Sequence, residues 1–448
     1  MSAKPRFWKA LTPFTRRLTI FALLNGVALQ LALMLVFLTP WQLTIFGELR
    51  DFVTAEQGED SWGPMNRALA YVLDDPDRPV YDEIFFEQQR KFQYPPMTLL
   101  PLRALRPATS PDGFTLLGLL NAISWLSVLV TVAFTKMLFD LGVERSGMDR
   151  DHPPSTGERI ARGVVVVFLA LTFYPMIKAY TQGQIQAWIN ALFAVALWLW
   201  ATGRHRAAGA LVGGASLIKP QYGPVFLAWG ALRRRWGFTT ALAAIALLGT
   251  TASLALFGLA DHVNYVDVLR FISERGESYY PNHSVNGLMN RLLFNGDNLG
   301  WKGRLFPPFH PWVYTLTLAS SAVFILVGLM GRTSSREKGG VVDFCVIAVT
   351  STLASPVAWE HHYGILLPIF AYFLPGLWVE RSPGRRTLSW VVLAYVLCSN
   401  FFAASTALAP IPVANVGQSY LFFGALMVWL ALLALRGRDS KGVPSPKG

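Results

Sequence analysis

Three adjacent titratable residues, Glu360, His361 and His362, stand between two apolar segments in the stretch SPVAWEHHYG. Such side chains can bind a metal, exchange protons or hold a charged ligand. Neighbouring residues on a helix point about 100° apart, and the i, i+4 spacing of a helical two-histidine metal site is missing here. We therefore expect no local metal site, and we expect the histidines to donate hydrogen bonds to an anion or to sugar hydroxyls. A metal held by histidines from distant loops stays open, and those histidines are His262, His283 and His310.

A further candidate is Asp51, in the stretch GELRDF just beyond the first apolar run. Partial desolvation at a membrane surface raises the pKa of a carboxyl group, which suits a general base. An interfacial loop acid without catalytic work would give the same pattern, and position alone does not separate the two readings.

Amide and basic side chains interrupt other apolar runs. Gln184 and Gln186 open the run in YTQGQIQAWIN, where buried amides line a cavity or join helices. For Lys219, in LIKPQYGP, there are two interpretations. Its ammonium group binds a lipid phosphate, or its side chain extends toward the lipid headgroups. Asn286 and Arg291 share the segment YYPNHSVNGLMNRLLF, whose polar groups have helical spacing. Each of these groups is a candidate for the lining of one polar site.

The elements that must position these residues are membrane helices. Of the 448 residues, 53% are hydrophobic and 15% are charged, and the apolar residues occur in long runs. A hydrocarbon core ~30 Å thick requires about 20 such residues per helix. We predict an all-α polytopic membrane protein with a single domain over residues 1–448. The formal net charge of +12 comes from basic clusters at the ends of the runs, which indicates topology rather than nucleic-acid binding.

The basic clusters predict about 12 transmembrane helices with both termini cytoplasmic. Two large external loops then cover residues 41–112 and 260–311, and an interfacial helix follows Tyr94 in the first of them. The pair 207–218 and 222–232 is short enough to be a half-depth hairpin. The predicted spans are Leu18–Pro40, Gly113–Leu138, Ile160–Ile177, Gln184–Ala201, Ala207–Ile218, Tyr222–Leu232, Phe238–Leu259, Trp312–Leu329, Val341–Leu353, Tyr363–Val379, Leu388–Ala407 and Val416–Leu435.

The order of these motifs resembles glycosyltransferase family 87, of the GT-C superfamily. An Asp-Phe pair follows the first span, YPP opens the interfacial helix, and GQIQ opens a later span. KPQ, NHSVNG with a following arginine, and SPVAWEHH complete the series. Glu360 stands where the family pattern has aspartate.

The resemblance implies an inverting transfer of a sugar, mannose before arabinofuranose, from a polyprenyl-phosphate donor to a glycolipid or glycan acceptor. It implies action at the external face of a bacterial cytoplasmic membrane, without a metal or other cofactor. Asp51 matches the family's catalytic aspartate, so Asp51→Asn is expected to abolish transfer. The donor phosphate or sugar is assigned to Lys219, His361, His362 and Arg291, and the cavity lining to Gln184, Gln186, Asn286, Tyr94 and Glu360.

Other classes of membrane protein share part of this pattern. A secondary transporter or flippase of lipid-linked sugars has a similar number of spans, but its key residues lie near the bilayer midplane. Another envelope ligase or polymerase of the same superfamily would share the fold and use a different donor. A structural scaffold has no use for these polar groups.

Overall fold

A computed structural model describes most of the chain. The described residues are 8, 11–36, 38–75, 78–109, 115–150, 153–301, 303, 305–331, 339–379 and 384–440. Several basic segments that predicted the cytoplasmic side lie wholly or partly outside these residues. They are the N-terminal segment 1–10, the stretches GRTSSREK and ERSPGRR, and the C-terminal tail.

The described elements are helices, and the residues described include one isolated β-bridge, between Asn282 and Trp359. We number the α-helices in chain order. They are α1 Pro13–Val36, α2 Ile45–Val53, α3 Trp62–Asp74, α4 Leu99–Leu105, α5 Leu116–Ser146, α6 Thr156–Leu171, α7 Tyr174–Thr181, α8 Gln186–Ala201, α9 His205–Ile218, α10 Tyr222–Leu232, α11 Trp236–Arg275, α12 Val285–Leu292, α13 Pro311–Met330, α14 Gly339–Leu353, α15 Leu366–Val379, α16 Gly384–Ser399 and α17 Tyr420–Ser440.

Fewer helices in the described part of the chain have the length and composition of a full membrane span than the sequence predicts. Among the described residues, six helices are long and apolar enough to cross a membrane, and a seventh is gained if the bent pair α6 and α7 is one span. Helix α8 has 16 residues, which at 1.5 Å per residue gives about 24 Å, short of the hydrocarbon core. The protein is a multi-pass membrane protein, but the predicted count of about 12 is not confirmed.

Helix α5 packs against α8 and α15. Small residues allow other pairs to approach closely, as in membrane helices generally. Gly209 of α9 lies against the backbone carbonyl of Phe238 in α11, where a Cβ atom would come within 2.3 Å of the oxygen. Consecutive helices that pack closely in this way have their termini at the two ends of the bundle.

The two large loops meet at one end of the bundle, which we call the loop end. Lys91 of the first loop forms an ion pair with Glu277 of the second at 2.5 Å. The backbone amide of His283 donates to the carbonyl of Ala358, at 2.8 Å. The functional candidates therefore come from segments that are far apart in sequence and share one end of the fold.

Both predicted loops contain helices. The first contains α2, α3 and α4, and α4 is the helix that the sequence predicts after Tyr94. In the second, helix α11 continues to Arg275 past a break at Gly258, whose φ is +76°. The first 16 residues of the predicted loop, 260–275, are therefore helical, and its start at residue 260 falls just after this break.

A charged network joins α10, α13, α14 and α17 at the opposite end of the bundle. Asp343, 3% exposed, accepts from Arg233 Nε at 2.9 Å and from Arg436 Nη1 at 3.4 Å. Arg436 also donates to the carbonyls of Gly328 and Val327. One buried carboxylate thus compensates two guanidinium groups at the ends of four helices.

We expect Asp343→Ala to lower the free energy of unfolding by ~3–5 kcal/mol, because it leaves the buried guanidinium group of Arg436 and the partly exposed one of Arg233 without a counter-ion. Thermal unfolding in detergent measures the loss. Asp140→Ala is the matched control, since Asp140 pairs with Lys136 at an exposed i, i+4 position and contributes little. Equal stability of the two variants would contradict the role of Asp343.

Candidate functional site

The first loop docks on the turn between α7 and α8 through backbone hydrogen bonds. Three amides of segment 58–61 donate to the three consecutive carbonyls of residues 181–183, at distances of 2.7 to 3.0 Å. The Ser61 side chain also accepts the amide of Ile185 at 3.1 Å. This contact sets the first loop against the start of α8, where the sequence places its amide-rich stretch.

Glycine at position 183 makes this contact possible. Its φ is +68°, in the left-handed region that glycine adopts without strain. A Cβ atom at Gly183 would lie 1.8 Å from the carbonyl oxygen of Gly58. The two backbones can approach this closely only when no side chain separates them.

The docked segment carries Asp60 into a polar cluster. The side-chain amide of Gln184 donates to the Asp60 carboxylate. The Gln184 carbonyl oxygen accepts from the hydroxyls of Ser61, at 2.8 Å, and Tyr94, at 3.1 Å. Gln184 and Tyr94, both expected to line the cavity, thus orient a carboxylate that the sequence did not single out.

Asp60 is an exposed residue whose carboxyl group is surrounded by protein atoms. Because the residue is exposed, water or a substrate hydroxyl can reach it. Surrounding protein atoms nevertheless desolvate the carboxylate and raise its pKa above the ordinary aspartate value. The Gln184 hydrogen bond and the charges of Lys178 and Lys91 lower the pKa and offset part of that effect. A raised pKa makes this carboxylate a stronger base.

A second polar cluster forms where α2 and the WEHHY stretch pack against α7. Glu48, 3% exposed, pairs with Lys178 at 2.7 Å and accepts from the Thr181 hydroxyl. The Tyr174 hydroxyl donates to Glu360 Oε2 at 3.4 Å, and Glu360 Oε1 is buried without a partner. The charge of Lys178 is therefore compensated, and Glu360 keeps one free acceptor.

The two histidines follow in a 3-10 turn, Glu360–Ile365. The rings of His361 and His362 lie 4.8 Å apart at 77°, so they do not face a common point. His361 Nε2 is buried without a hydrogen-bond partner. This ring retains a free donor or acceptor.

Lys219 lies close enough to both histidines for its charge to act on them. It is 8% exposed and donates to Gln186 Oε1 at 2.6 Å. Gln186 is held in turn by Asn190, whose Oδ1 accepts from it at 2.9 Å. Among the described residues no carboxylate pairs with Lys219, so no carboxylate competes with an anion for this lysine.

Arg291 and Asn286 hold the second loop together. Arg291, 1% exposed, donates to the carbonyl of Asn282 at 3.0 Å and to Ser419 at 2.6 Å, and burial lowers its pKa to about 9. The Asn286 side chain accepts from the Glu277 amide and donates to Thr317. Their contacts are those of residues that fasten a loop.

Asp51 lies near the surface of α2. Its carboxylate pairs with Arg50 at 2.5 Å, and its side chain is 27% exposed. The neighbouring Phe52 is buried and stacks on Trp125 with ring centroids 5.6 Å apart. The Asp-Phe pair therefore anchors α2 through the phenylalanine, while the aspartate is compensated by its neighbour.

The structure thus joins one group of predicted residues and separates another. Over the described part of the chain, no three His, Cys, Asp or Glu side chains converge as metal ligands. Residues brought to the two polar clusters are Tyr94, Gln184, Gln186, Lys219, Glu360, His361 and His362. Asp51, Asn286 and Arg291 make their contacts elsewhere.

Sequence reasoning missed Asp60, Glu48 and Lys178. Lys178 gave a usable signal, because a lysine within an apolar run needs a partner. Asp60 and Glu48 gave none, since the first loop contains many acids and their distances to α7 depend on the docking of the loop.

Fold and site together define a multi-pass membrane protein with an exposed aspartate and a buried lysine that has no carboxylate partner among the described residues, both at one end of its helical bundle. The model of glycosyltransferase family 87 matches residues 92–356, more than half of the chain, and the protein belongs to that family. The match includes Tyr94, Gln184, Lys219 and Arg291 and ends before Glu360. It begins after both Asp51 and Asp60.

Two curated relatives carry the same name, polyprenol-phosphate-mannose-dependent alpha-(1-2)-phosphatidylinositol pentamannoside mannosyltransferase. The relative from Mycobacterium tuberculosis is 28% identical over 275 residues, 60% of this chain and 58% of the relative. The one from Mycolicibacterium smegmatis is 26% identical over 291 residues, 63% of this chain and 65% of the relative. The aligned part thus spans less than two thirds of either relative. No solved structure matches.

We expect Gly183→Ala to remove transfer activity, because its Cβ would push segment 58–61 off the turn and displace Asp60. Gly203→Ala is the matched control. Gly203 has a similar φ, +83°, but no atom lies within 4 Å of its Cβ position, so this variant isolates backbone strain. Limited proteolysis of the first loop and a transfer assay measure the difference. Equal behaviour of the two variants would rule out the steric explanation.

Proposed function

We propose that the protein is an inverting glycosyltransferase that moves mannose from a polyprenyl-phosphate donor to a hydroxyl of a glycolipid or glycan acceptor. The observation that supports the proposal is that the loop end contains both a candidate proton acceptor and candidate anion-binding groups. Asp60 offers an accessible carboxylate, and Lys219 with the two histidines offers buried positive or hydrogen-bonding groups without a carboxylate. A proton acceptor and an anion holder are what this transfer needs.

The chemistry requires one base. The acceptor oxygen forms a bond to the sugar C1 while the bond from C1 to the phosphate oxygen breaks. The proton of the acceptor hydroxyl passes to the base, and polyprenyl phosphate leaves as an anion. Because that anion is weakly basic, a second carboxylic acid is unnecessary, in contrast to a glycosidase. A single displacement at C1 inverts the anomeric configuration.

Two aspartates compete for the role of base. The family resemblance assigns it to Asp51, and that assignment stays a prediction. The geometry favours Asp60, because the Asp51 carboxylate is already paired with Arg50 and lies outside the two polar clusters. Asp60 has an amide that orients it, access to solvent and a raised pKa. We therefore propose Asp60 as the general base.

The donor phosphate fits the opposite side of the site. Lys178 is neutralised by Glu48, whereas Lys219 is held only by a neutral amide. The free Nε2 of His361 lies within the field of Lys219. We propose that Lys219 binds the phosphate as a point charge and that His361 and His362 contact the phosphate or the sugar. Metal ions and other cofactors have no role in this proposal.

The choice of mannose rests on the two relatives, which are named as polyprenol-phosphate-mannose-dependent mannosyltransferases. The outer face of the bacterial cytoplasmic membrane is proposed from charge. Buried and half-buried arginines hold the opposite end of the bundle, where the positive-inside rule expects the cytoplasm. A transporter is less favoured, because the polar clusters lie at helix ends next to large loops rather than at the midplane.

Purified protein given polyprenyl-phosphate mannose and a mycobacterial glycolipid extract is expected to form a mannosylated product and free polyprenyl phosphate. Polyprenyl-phosphate arabinose serves as the competing donor. Thin-layer chromatography with radiolabelled sugar measures both reactions. Transfer from neither donor, together with movement of the lipid across a vesicle membrane, would favour the transporter class instead.

We expect Asp60→Asn to lower kcat by roughly 100- to 10,000-fold, the range for loss of a general base. Asp51→Asn is expected to keep most of the activity, since it removes only an exposed ion pair. A raised pKa also implies that transfer falls on acidification at a higher pH than for an ordinary aspartate. An inactive Asp51→Asn protein beside an active Asp60→Asn protein would return the role to Asp51.

Thermal unfolding separates loss of chemistry from loss of structure in these variants. Folding raises the pKa of Asp60, so the ionised carboxylate costs stability as pH rises through that pKa. Asparagine removes this cost and still accepts from Gln184. The melting temperature of Asp60→Asn at neutral pH should therefore equal or exceed that of the parent.

A further inference from the structure

Three aromatic residues form a partly exposed cluster beside the site, which we call the aromatic platform: Tyr279, Trp301 and Trp359. Ring centroids of Trp301 lie 5.4 Å from Trp359 and 5.7 Å from Tyr279, and Tyr279 lies 6.4 Å from Trp359. Trp301 is nevertheless 44% exposed. An exposed indole with a fixed orientation offers a prepared surface to a ligand.

A buried ion pair supports the platform from the side of Asp60. Lys91 Nζ lies 4.1 Å from the Trp301 ring centroid and forms its 2.5 Å pair with Glu277, both side chains being 7% exposed. Desolvation lowers the pKa of Lys91, and its interactions with Glu277 and the charge of Asp60 offset part of that effect. Lys91 thus connects the platform with the proposed base.

The other side of the platform borders the WEHHY stretch. Trp359 directly precedes Glu360, and the phenols of Tyr279 and Tyr280 lie close enough to Glu360 to interact with its charge. The platform therefore has Lys91 on one side and the WEHHY stretch on the other.

The composition of the platform fits a carbohydrate better than a lipid tail. A pyranose has an apolar face of C–H groups, which is attracted to the negative face of an aromatic ring, and a rim of hydroxyls. Tyrosine hydroxyls, Lys91 and Glu277 supply hydrogen-bonding groups around the rings.

We propose that the aromatic platform binds a sugar ring of the acceptor by stacking on Trp301 and Trp359. This subsite rests on the proposed function, since it names the acceptor as a glycan or glycolipid whose sugar receives the transfer. The ring lies on Trp301, and the attacking hydroxyl points toward Asp60. An acceptor made of lipid alone would gain nothing from the platform.

Saturation-transfer NMR with methyl α-D-mannopyranoside tests binding without transfer. Full-length protein in nanodiscs is compared with Trp301→Ala, Trp301→Phe and Trp312→Ala. Trp312 is the control, because it is 67% exposed in the first turn of α13 and is not part of the platform. Trp301→Ala should weaken mannoside binding about tenfold, the order expected for one lost aromatic contact. Trp301→Phe should restore most of it.

Transfer kinetics give the second readout. Trp301→Ala should raise the KM for the glycolipid acceptor and leave the KM for polyprenyl-phosphate mannose unchanged. Equal mannoside binding by Trp301→Ala and Trp312→Ala would overturn the subsite, and so would a parent protein that transfers mannose but does not bind the mannoside. Asp60→Asn should bind the mannoside as the parent does. An active Asp60→Asn protein with intact binding would contradict the proposed base alone.

Discussion

The site depends on the backbone contact between segment 58–61 and the carbonyls of residues 181–183. Backbone amides and carbonyls in a low-dielectric surrounding need partners, and here each segment supplies them to the other. The contact requires Gly183, since a Cβ atom there would meet the carbonyl oxygen of Gly58. It delivers Asp60 to Gln184, and it also sets the first loop within reach of the second through Lys91 and Glu277.

In the described part of the chain, some charged groups at the loop end are paired with an opposite charge, and Lys219 is not. We take the paired groups as structural and the unpaired one as a candidate for substrate binding. Glu48 and Lys178 neutralise each other, as do Arg50 and Asp51. Lys219 has no such partner among the described residues, and burying an uncompensated ammonium group is costly. An anion that binds there would offset the cost of burying this lysine. A lipid phosphate would supply the missing charge during each reaction.

The residues that hold the loops in place are not the ones that their chemical types suggest. Arg291 has the strongest claim to a phosphate by chemistry, yet its guanidinium donates to backbone carbonyls and to Ser419. Those contacts hold α12 against the segment before α17. They support the loop that carries Tyr279 and Trp301, so Arg291 acts on the site through the position of the aromatic platform.

The sequence by itself determined the helical membrane class, the helix α4 and the family, and it singled out Tyr94, Gln184, Lys219 and the histidines as candidates. These follow from local signals, because apolar runs, proline breaks and polar groups in an apolar setting are read without knowing distant contacts. Tertiary structure decided the number of long spans and the identity of the accessible carboxylate. Asp51 and Asp60 are both loop acids nine positions apart, and only the docking of the chain on Gly183 separates a residue paired with its neighbour from one oriented by Gln184.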